Sequence, residues 1–269
     1  MKKKYLLFLG LFIIFSHSLC FGQRSELGLF LGASTYRGEL NPVTFSSDLA
    51  LYHPAIGLFI RRNKNAYFAY RFNLVTGKVS GDDARSSSAY EKIRNLSFES
   101  PVTELSWLVE FNFLPFERYD SPYLLSPYVF TGLSLFHFNP SAMLGGQKYH
   151  LQSMKLEGSG YSLISTALPM GVGIKFKVKR WVFSVEAGSR KTSTDYLDNI
   201  HGVYLDPNTL SGASKVLADP SLVPAALTIT GRQRGNSKNK DWYTFLGITL
   251  SHKIGNARKR ECELLLKNQ

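Results

Sequence analysis

The sequence predicts an all-β fold, an antiparallel transmembrane β-barrel of eight strands with long extracellular loops and short periplasmic turns. Three observations predict it. Stretches of about ten residues alternate apolar with small or polar side chains, which is the period of a strand with two different faces. After residue 23, no apolar run reaches the 18 residues that a membrane-crossing helix needs. Short and long connections between the stretches also alternate along the chain.

The first residues have the composition of a secretory signal. Three lysines follow Met1, an apolar run ends at Phe15, and a short polar step leads to Cys20 and Gly22, the small residues at the third-last and last positions of the signal. This order predicts a signal peptide over residues 1–22 that is absent from the mature protein. Lipidation of Cys20 is the alternative, but the bulky Leu19 before it fits a lipidation site poorly.

The predicted mature chain carries 29 Lys and Arg against 20 Asp and Glu, a net charge of +9. Its single cysteine, Cys262, cannot form an internal disulfide framework, although it could pair with another chain. We expect the barrel to occupy residues 23–255 and residues 256–269 to form a periplasmic tail.

The eight predicted strands each have an apolar face and a face of polar or small residues. On the first strand, Leu27, Leu29 and Leu31 share one face, and Gly28 and Phe30 share the other. An apolar outside and a polar inside are typical of a membrane barrel and inverted in a soluble one. The predicted strands are residues 25–35, 54–62, 66–79, 103–114, 127–138, 163–178, 181–190 and 242–253.

Connection lengths orient this predicted barrel in its membrane. Outer-membrane barrels have short periplasmic turns and long extracellular loops in alternation. The order of connections therefore places both ends of the chain in the periplasm. The short or intermediate connections are near residues 62–65, 115–126 and 179–180, and the long ones are near 36–53, 80–102, 139–162 and 191–241.

The predicted inner face combines glycines, aromatic rings and charges. The interior of an eight-stranded barrel is just wide enough for side chains. The glycines on this face either make room for rings such as Phe30 and Phe59, or mark bulges and bends. Pro169 brings no N–H to the middle of the sixth strand, which predicts a bulge there.

Charged residues on the inner face are expected to pair with one another, since unpaired charges in so narrow a lumen are costly. A plug of ion pairs is one interpretation, and a proton or ion path is the other. The predicted lumen charges are Arg71, Glu104, Glu110, Lys175, Glu186 and Arg190.

Positive charge concentrates at the predicted periplasmic rim, whose turns and tail together carry +8 of the mature +9. One interpretation is a docking surface for an acidic periplasmic partner. The other is that Lys and Arg reach lipid headgroups at the membrane edge. The candidate docking residues are Arg61, Arg62, Lys64, Lys179, Arg180, Arg258, Lys259 and Arg260.

The long connection near residues 191–241 holds a second group of cations, Arg232, Arg234, Lys238 and Lys240. They could meet the phosphates of lipopolysaccharide, or they could belong to a solvated loop. Outer-membrane lipid and lipopolysaccharide are therefore expected partners, and nucleic acid and small-molecule substrates are not.

No catalytic, metal or cofactor site is predicted. Ser251 and His252 are neighbours, which puts their side chains on opposite faces of a strand and prevents them from acting as nucleophile and base. The remaining histidines of the predicted mature chain have no metal-ligand spacing. The sequence therefore predicts a protein that is not an enzyme.

Several motifs follow one another along the predicted barrel. They are Thr35-Tyr-Arg-Gly-Glu-Leu-Asn-Pro42, Gly77-Lys-Val-Ser-Gly-Asp-Asp83, Arg94-Asn-Leu-Ser-Phe98, Glu110-Phe-Asn-Phe-Leu-Pro-Phe116, Ser126-Pro-Tyr-Val-Phe130, Phe138-Asn-Pro140 and Arg190-Lys-Thr-Ser-Thr-Asp-Tyr-Leu-Asp198. Together they resemble the PorG-type outer-membrane proteins of the type IX secretion system, over nearly the whole mature chain to about Gly255.

This resemblance implies a non-enzymatic outer-membrane component that associates with the periplasmic ring proteins of the secretion machine. Such a component supports protein export and, in some bacteria, gliding, while a much larger protein forms the export channel. The tail beyond Gly255 matches nothing in that family. The alternative is a structural or adhesin-like small barrel that acts alone.

Overall fold

The computed structural model describes residues 25–40, 48–116, 123–221, 230–236 and 238–254. The predicted signal peptide, Cys262 and the tail lie outside them. The described strands, all antiparallel, are β1 (Ser25–Arg37), β2 (His53–Asn63), β3 (Phe68–Asp82), β4 (Ser97–Asn112), β5 (Leu125–Phe138), β6 (Ser141–Leu144), β7 (Gln147–His150), β8 (Ile164–Val178), β9 (Trp181–Thr192) and β10 (Trp242–Ile254).

Eight of these strands close into a barrel in the order β1, β2, β3, β4, β5, β8, β9, β10, with β10 paired back to β1 and β3 paired to β4. The predicted eight-stranded antiparallel barrel is therefore confirmed. The remaining two strands, β6 and β7, form a hairpin that joins the edge of β4 through the pair Glu99↔Ser141. This hairpin lies in the connection 139–162, for which no strand was predicted.

The two faces of the barrel wall differ as the alternation predicts. Outward side chains are apolar and half exposed, such as Leu58 at 55% and Val185 at 64%. Their inward neighbours are buried, such as Phe59 at 3% and Glu186 at 8%. An apolar belt around a closed wall matches the hydrocarbon layer of a membrane, because every strand inside it has both of its backbone edges paired.

All described helices are short and lie in the long loops. They are α1 (Ala89–Arg94), α2 (Leu151–Met154) and α3 (Ala213–Ala218), with single 3-10 turns at Leu49–Leu51, Asp83–Arg85 and Pro207–Thr209. Within the described ranges, no helix combines the length and the apolar character needed to cross a membrane.

The prediction of a bulge at Pro169 is wrong. Strands β5 and β8 pair with the same offset on both sides of the proline, at Thr131↔Met170 and at Ser134↔Ala167. Only the two pairs between these positions are missing, so no residue is inserted. The Thr131 hydroxyl donates to the Pro169 carbonyl oxygen at 3.0 Å, which links the strands where the proline offers no N–H.

Glycines on the inner face make room for aromatic rings. A Cβ built on Gly28 would lie 2.3 Å from the Phe59 ring, and one on Gly171 would lie 2.3 Å from the Phe130 ring. The first of the two interpretations of the inner glycines is therefore confirmed at these positions.

Candidate functional site

The centre of the lumen is built around the Glu110 carboxylate, which contacts three cations. Its oxygens lie 2.9 Å from Arg61 Nε, 3.0 Å from Arg71 Nε and 2.5 Å from Lys175 Nζ. All four side chains are at most 2% exposed. One carboxylate cannot balance three cations, so further acids are required nearby.

Two more carboxylates supply that balance. Glu186 receives both Arg71 Nη1 at 2.7 Å and Arg71 Nη2 at 3.1 Å, and it also accepts a hydrogen bond from the Tyr128 hydroxyl. Glu26 lies 2.7 Å from Arg61 Nη1. Three cations thus face three carboxylates, and this network is electrically neutral.

A separate pair lies closer to the long-loop end. Arg190 Nε is 3.1 Å from Glu104 Oε2, and the Tyr243 hydroxyl donates to the same oxygen at 2.6 Å. The structure therefore brings the six predicted lumen charges into two buried groups. Sequence reasoning missed Glu26, which shares the inward parity of Gly28.

Arg61 was predicted to belong to the docking rim, and the structure places it inside the lumen instead. Its side chain is 1% exposed and is held by Glu26 and Glu110. It shares the inward parity of Gly57 and Phe59, which is the signal that would have found it. A cation with two buried carboxylates beside it is not available to a partner outside the barrel.

Side chains also fill the lumen on both sides of these charges, toward the short turns and toward the long loops. At the short-turn end, the buried ring of Phe116 lies beneath Lys177 Nζ at 5.2 Å and Lys253 Nζ at 5.9 Å. Toward the long loops, rings such as Phe136 and Phe138 pack with loop residues into one apolar cluster. A cavity beside Arg71 measures ≈ 10 Å³, which is room for about one water molecule.

The short-turn rim carries exposed cations at two places. Arg62 and Lys64 are exposed at the β2–β3 turn, and Lys179 and Arg180 are exposed at the β8–β9 turn. The other candidate docking residues, Arg258, Lys259 and Arg260, lie outside the described residues.

Three carboxylates meet at the base of the long loops. One oxygen from each of Glu39, Asp198 and Asp241 lies within 4.8 Å of the others. The Tyr36 hydroxyl lies 2.5 Å from Asp198 and 3.1 Å from Asp241. Oxygen ligands at this spacing suit a hard cation such as Ca²⁺, or a shared proton.

Burial is the main cause that raises the pKa of both Asp198 and Asp241 well above the usual value of an aspartate. Repulsion adds to it, from Glu39 on Asp198 and from Asp198 on Asp241. The sequence did not single out this cluster, because its members come from three distant segments.

One of the four loop cations predicted to meet lipopolysaccharide is an internal residue. Arg234 is 5% exposed, lies 2.8 Å from Glu157 and donates to the Asn199 carbonyl oxygen at 2.7 Å. Arg232 and Lys238 are exposed, and Lys240 lines a cleft. Arg234 therefore holds the loop together and does not face a lipid.

Residues 3–211 match the family model described as "Domain of unknown function (DUF6089)". A search of curated proteins finds no match. Solved structures with a similar fold include Neisserial surface protein A, which is 10% identical, with 86% of this chain and 97% of that chain covered and a TM-score of 0.44. OprG from Pseudomonas aeruginosa is 11% identical, with 87% of this chain and 98% of that chain covered and a TM-score of 0.40. The attachment invasion locus protein Ail of Yersinia pestis is 10% identical, with 85% of this chain and 96% of that chain covered and a TM-score of 0.40. On the family match, the chain belongs to the DUF6089 family.

Proposed function

We propose that this barrel is a non-enzymatic outer-membrane component of the type IX protein secretion machinery. It docks through its short-turn rim onto the periplasmic ring proteins of that machine, and it supports protein export and, in gliding bacteria, motility. Both chain ends and the short turns then face the periplasm, while the long loops face outward. The observation that carries the proposal is the pair of exposed basic turns on this rim.

The two basic turns lie on opposite sides of the barrel mouth. The β2–β3 turn and the β8–β9 turn are separated by four strand positions in a ring of eight. A partner that contacts Arg62 and Lys179 together must therefore extend across the mouth, at right angles to the barrel axis. An acidic face of a ring protein has the charge and the extent for this contact.

The filled lumen supports a role at the rims. Ion pairs and aromatic rings, including that of Phe116, occupy the described interior. Conduction of a solute through the barrel is therefore not the function we propose. A stand-alone adhesin-like barrel would have the same lumen but would act through its long loops. The two functions therefore differ in the rim that binds a partner.

Deletion of the gene separates these two functions. We expect proteins with a C-terminal secretion signal to disappear from the medium and to accumulate inside the cell envelope, as measured by mass spectrometry of both fractions. Normal secretion in the deletion strain would contradict the proposal and favour the stand-alone barrel.

Charge reversal tests the rim itself. A variant with all four exposed cations changed to Glu should lose about tenfold or more of the ring proteins that co-purify with the tagged barrel, because each contact turns from attraction to repulsion. The matched control reverses two exposed cations at the opposite end and should keep full recovery. Unchanged recovery from the rim variant would contradict the docking role. The rim changes are Arg62→Glu, Lys64→Glu, Lys179→Glu and Arg180→Glu, and the control changes are Arg232→Glu and Lys238→Glu.

A further inference from the structure

Three residues form one row on the outer wall, at the long-loop end of three adjacent strands. Arg37 on β1 lies directly opposite Trp242 on β10, and Trp242 lies directly opposite Lys191 on β9. All three point outward, since they alternate with the buried Tyr36, Tyr243 and Arg190.

The two cations of this row flank the indole ring. Arg37 Cζ lies 5.8 Å and Lys191 Nζ lies 5.9 Å from the Trp242 ring centre, and both cations are exposed. Contacts of this length are attractive and hold the two side chains beside the ring. The two positive charges on either side of one tryptophan therefore attract anionic groups.

The height of the row identifies the kind of anion. Six residues nearer the short turns, the same three strands carry Leu31, Ile248 and Val185, which are 50–64% exposed and belong to the apolar belt. Tryptophan is typical of the boundary between the hydrocarbon layer and the headgroups. The row lies about 20 Å farther along the strands than these apolar residues, so its cations are on the headgroup side of the belt.

A cleft of ≈ 270 Å³ opens directly beyond the row. Ser193 lies two residues past Lys191 and Lys240 lies two residues before Trp242, which is a distance of about 7 Å along a strand, and both line the cleft. Its volume is close to the lower end of the range for small-molecule sites, roughly 300–1,000 Å³.

The lining of the cleft combines aromatic rings with hydroxyl groups. Tyr161 and Tyr196 stack in parallel with ring centres 4.3 Å apart, and both are partly exposed. The hydroxyls of Ser165, Ser193 and Thr194 line the same cleft. Phe138 and His201 lie against the other faces of these two rings, with ring centres at 6.3 Å and 4.5 Å, so a sugar in the cleft meets ring edges and the hydroxyl groups.

We propose that this row and cleft together form a binding site for a phosphorylated glycolipid, the lipid A portion of lipopolysaccharide with its attached sugar. Arg37 and Lys191 bind lipid A phosphates on either side of Trp242, the attached sugar enters the cleft, and the acyl chains lie along the apolar belt. The site rests on the outward orientation of the long loops in the proposed function, and it is independent of the role in secretion.

Binding to the purified full-length protein in detergent tests the phosphate half of the site. Native mass spectrometry measures the affinity for deep-rough lipopolysaccharide, for the same lipid after dephosphorylation, and for phosphatidylglycerol. We expect the Arg37→Ala/Lys191→Ala variant to bind deep-rough lipopolysaccharide about thirtyfold more weakly than the native protein, from two lost cation contacts to anionic lipid. Dephosphorylation should weaken binding to the native protein by a similar factor.

The matched control is Lys92→Ala, which removes an exposed lysine of α1 and should leave the affinity unchanged. Unchanged binding by the Arg37→Ala/Lys191→Ala variant would overturn the proposal. Equally tight binding of phosphatidylglycerol would overturn it too, because that lipid has a phosphate but no sugar.

A second variant tests the cleft without removing a charge. Ser193→Trp fills the cleft from an exposed position, so it should abolish the preference of the native protein for lipopolysaccharide with inner-core sugars over lipid A alone. A preserved preference would overturn the cleft as the sugar site. The shift in gel mobility on heating shows whether each variant is a folded barrel.

A separate experiment measures on which side of the membrane the long loops lie. Lys92→Cys, in a Cys262→Ser background, should react with a membrane-impermeant maleimide on intact cells. No reaction would contradict the outward loops and, with them, the proposed lipid site in cells. Retained detergent binding in that case would show that the glycolipid chemistry survives while the proposed orientation fails.

Discussion

The two halves of the barrel interior are filled in opposite ways. Toward the short turns, Glu110 lies among Arg61, Arg71 and Lys175, and every charge has a partner. Toward the long loops, rings of the wall such as Phe136 belong to the same apolar cluster as Leu197 of the loop near residues 191–241. The charged half depends on complete pairing, whereas the apolar half joins the loops to the wall as one core.

The charged and aromatic groups of the lumen contact one another, while exposed cations lie at both rims. The cavity beside Arg71 has room for about one water molecule, and each half ends in a surface with its own character. The short-turn rim carries exposed cations, and the long-loop rim carries a cation row beside an aromatic cleft.

The largest expected effect comes from breaking the charged half. Glu110→Gln leaves three buried cations with two carboxylates, so we expect a loss of about 3–5 kcal/mol in the free energy of unfolding. Urea unfolding followed by tryptophan fluorescence measures it. The matched control is Glu99→Gln, because Glu99 also faces two lysines but is 30% exposed, and its loss should stay below about 1 kcal/mol per pair. Equal losses would show that burial does not distinguish the two networks.

A substitution in the apolar half should destabilise the long loops and leave the barrel wall folded. Leu197→Ala removes a fully buried side chain from the loop core, which costs about 2–5 kcal/mol in the stability of that core. Faster proteolysis of the loop near residues 191–241 should report this loss, while the gel mobility shift of the barrel should remain. Val203→Ala, at a 46% exposed position of the same loop, is the control. If the whole barrel unfolds with Leu197→Ala, the two halves are one cooperative unit.

The smallest effect is a pH dependence of the long-loop end. Because burial and repulsion raise the pKa of Asp198 and Asp241, the folded loops bind protons more tightly than the opened loops do. The stabilisation is complete below the ordinary aspartate pKa, about 3.9, and is lost as the pH rises through the raised values.

Hydrogen exchange of the loops, measured with a chelator present, should therefore show lower protection at high pH. The Asp198→Asn/Asp241→Asn variant should flatten this dependence. The control is Asp206→Asn, which changes an exposed helix cap and keeps its hydrogen-bonding ability. A dependence that persists in the double variant would place its source elsewhere.

Most of the wall could be predicted, because alternation reports directly on which face meets lipid. The first strand was expected at residues 25–35 and ends at Arg37, and the eighth was expected at 242–253 and ends at Ile254. The fourth was expected from residue 103 and begins six residues earlier at Ser97. Strands that continue beyond the membrane lose the apolar face that makes them visible in a sequence.

The candidate sites were predicted only in part. The lumen charges followed from parity, but Arg61 was grouped with its neighbours in a turn, although its inward parity was visible. The carboxylates of Glu39 and Asp241 meet only after the barrel closes. The cleft depends on stacking between Tyr161 and Tyr196, which a pattern of alternation does not encode.

The most direct test of a docking role for the short-turn rim is site-specific photocrosslinking in living cells. A photoreactive amino acid is placed singly at Arg62, at Lys179 and, as controls at the other end, at Lys92 and Lys238. The account predicts crosslinks to periplasmic ring proteins from Arg62 and Lys179 and none from Lys92 or Lys238. Crosslinks to ring proteins from the long-loop positions alone, or from no position, would contradict it.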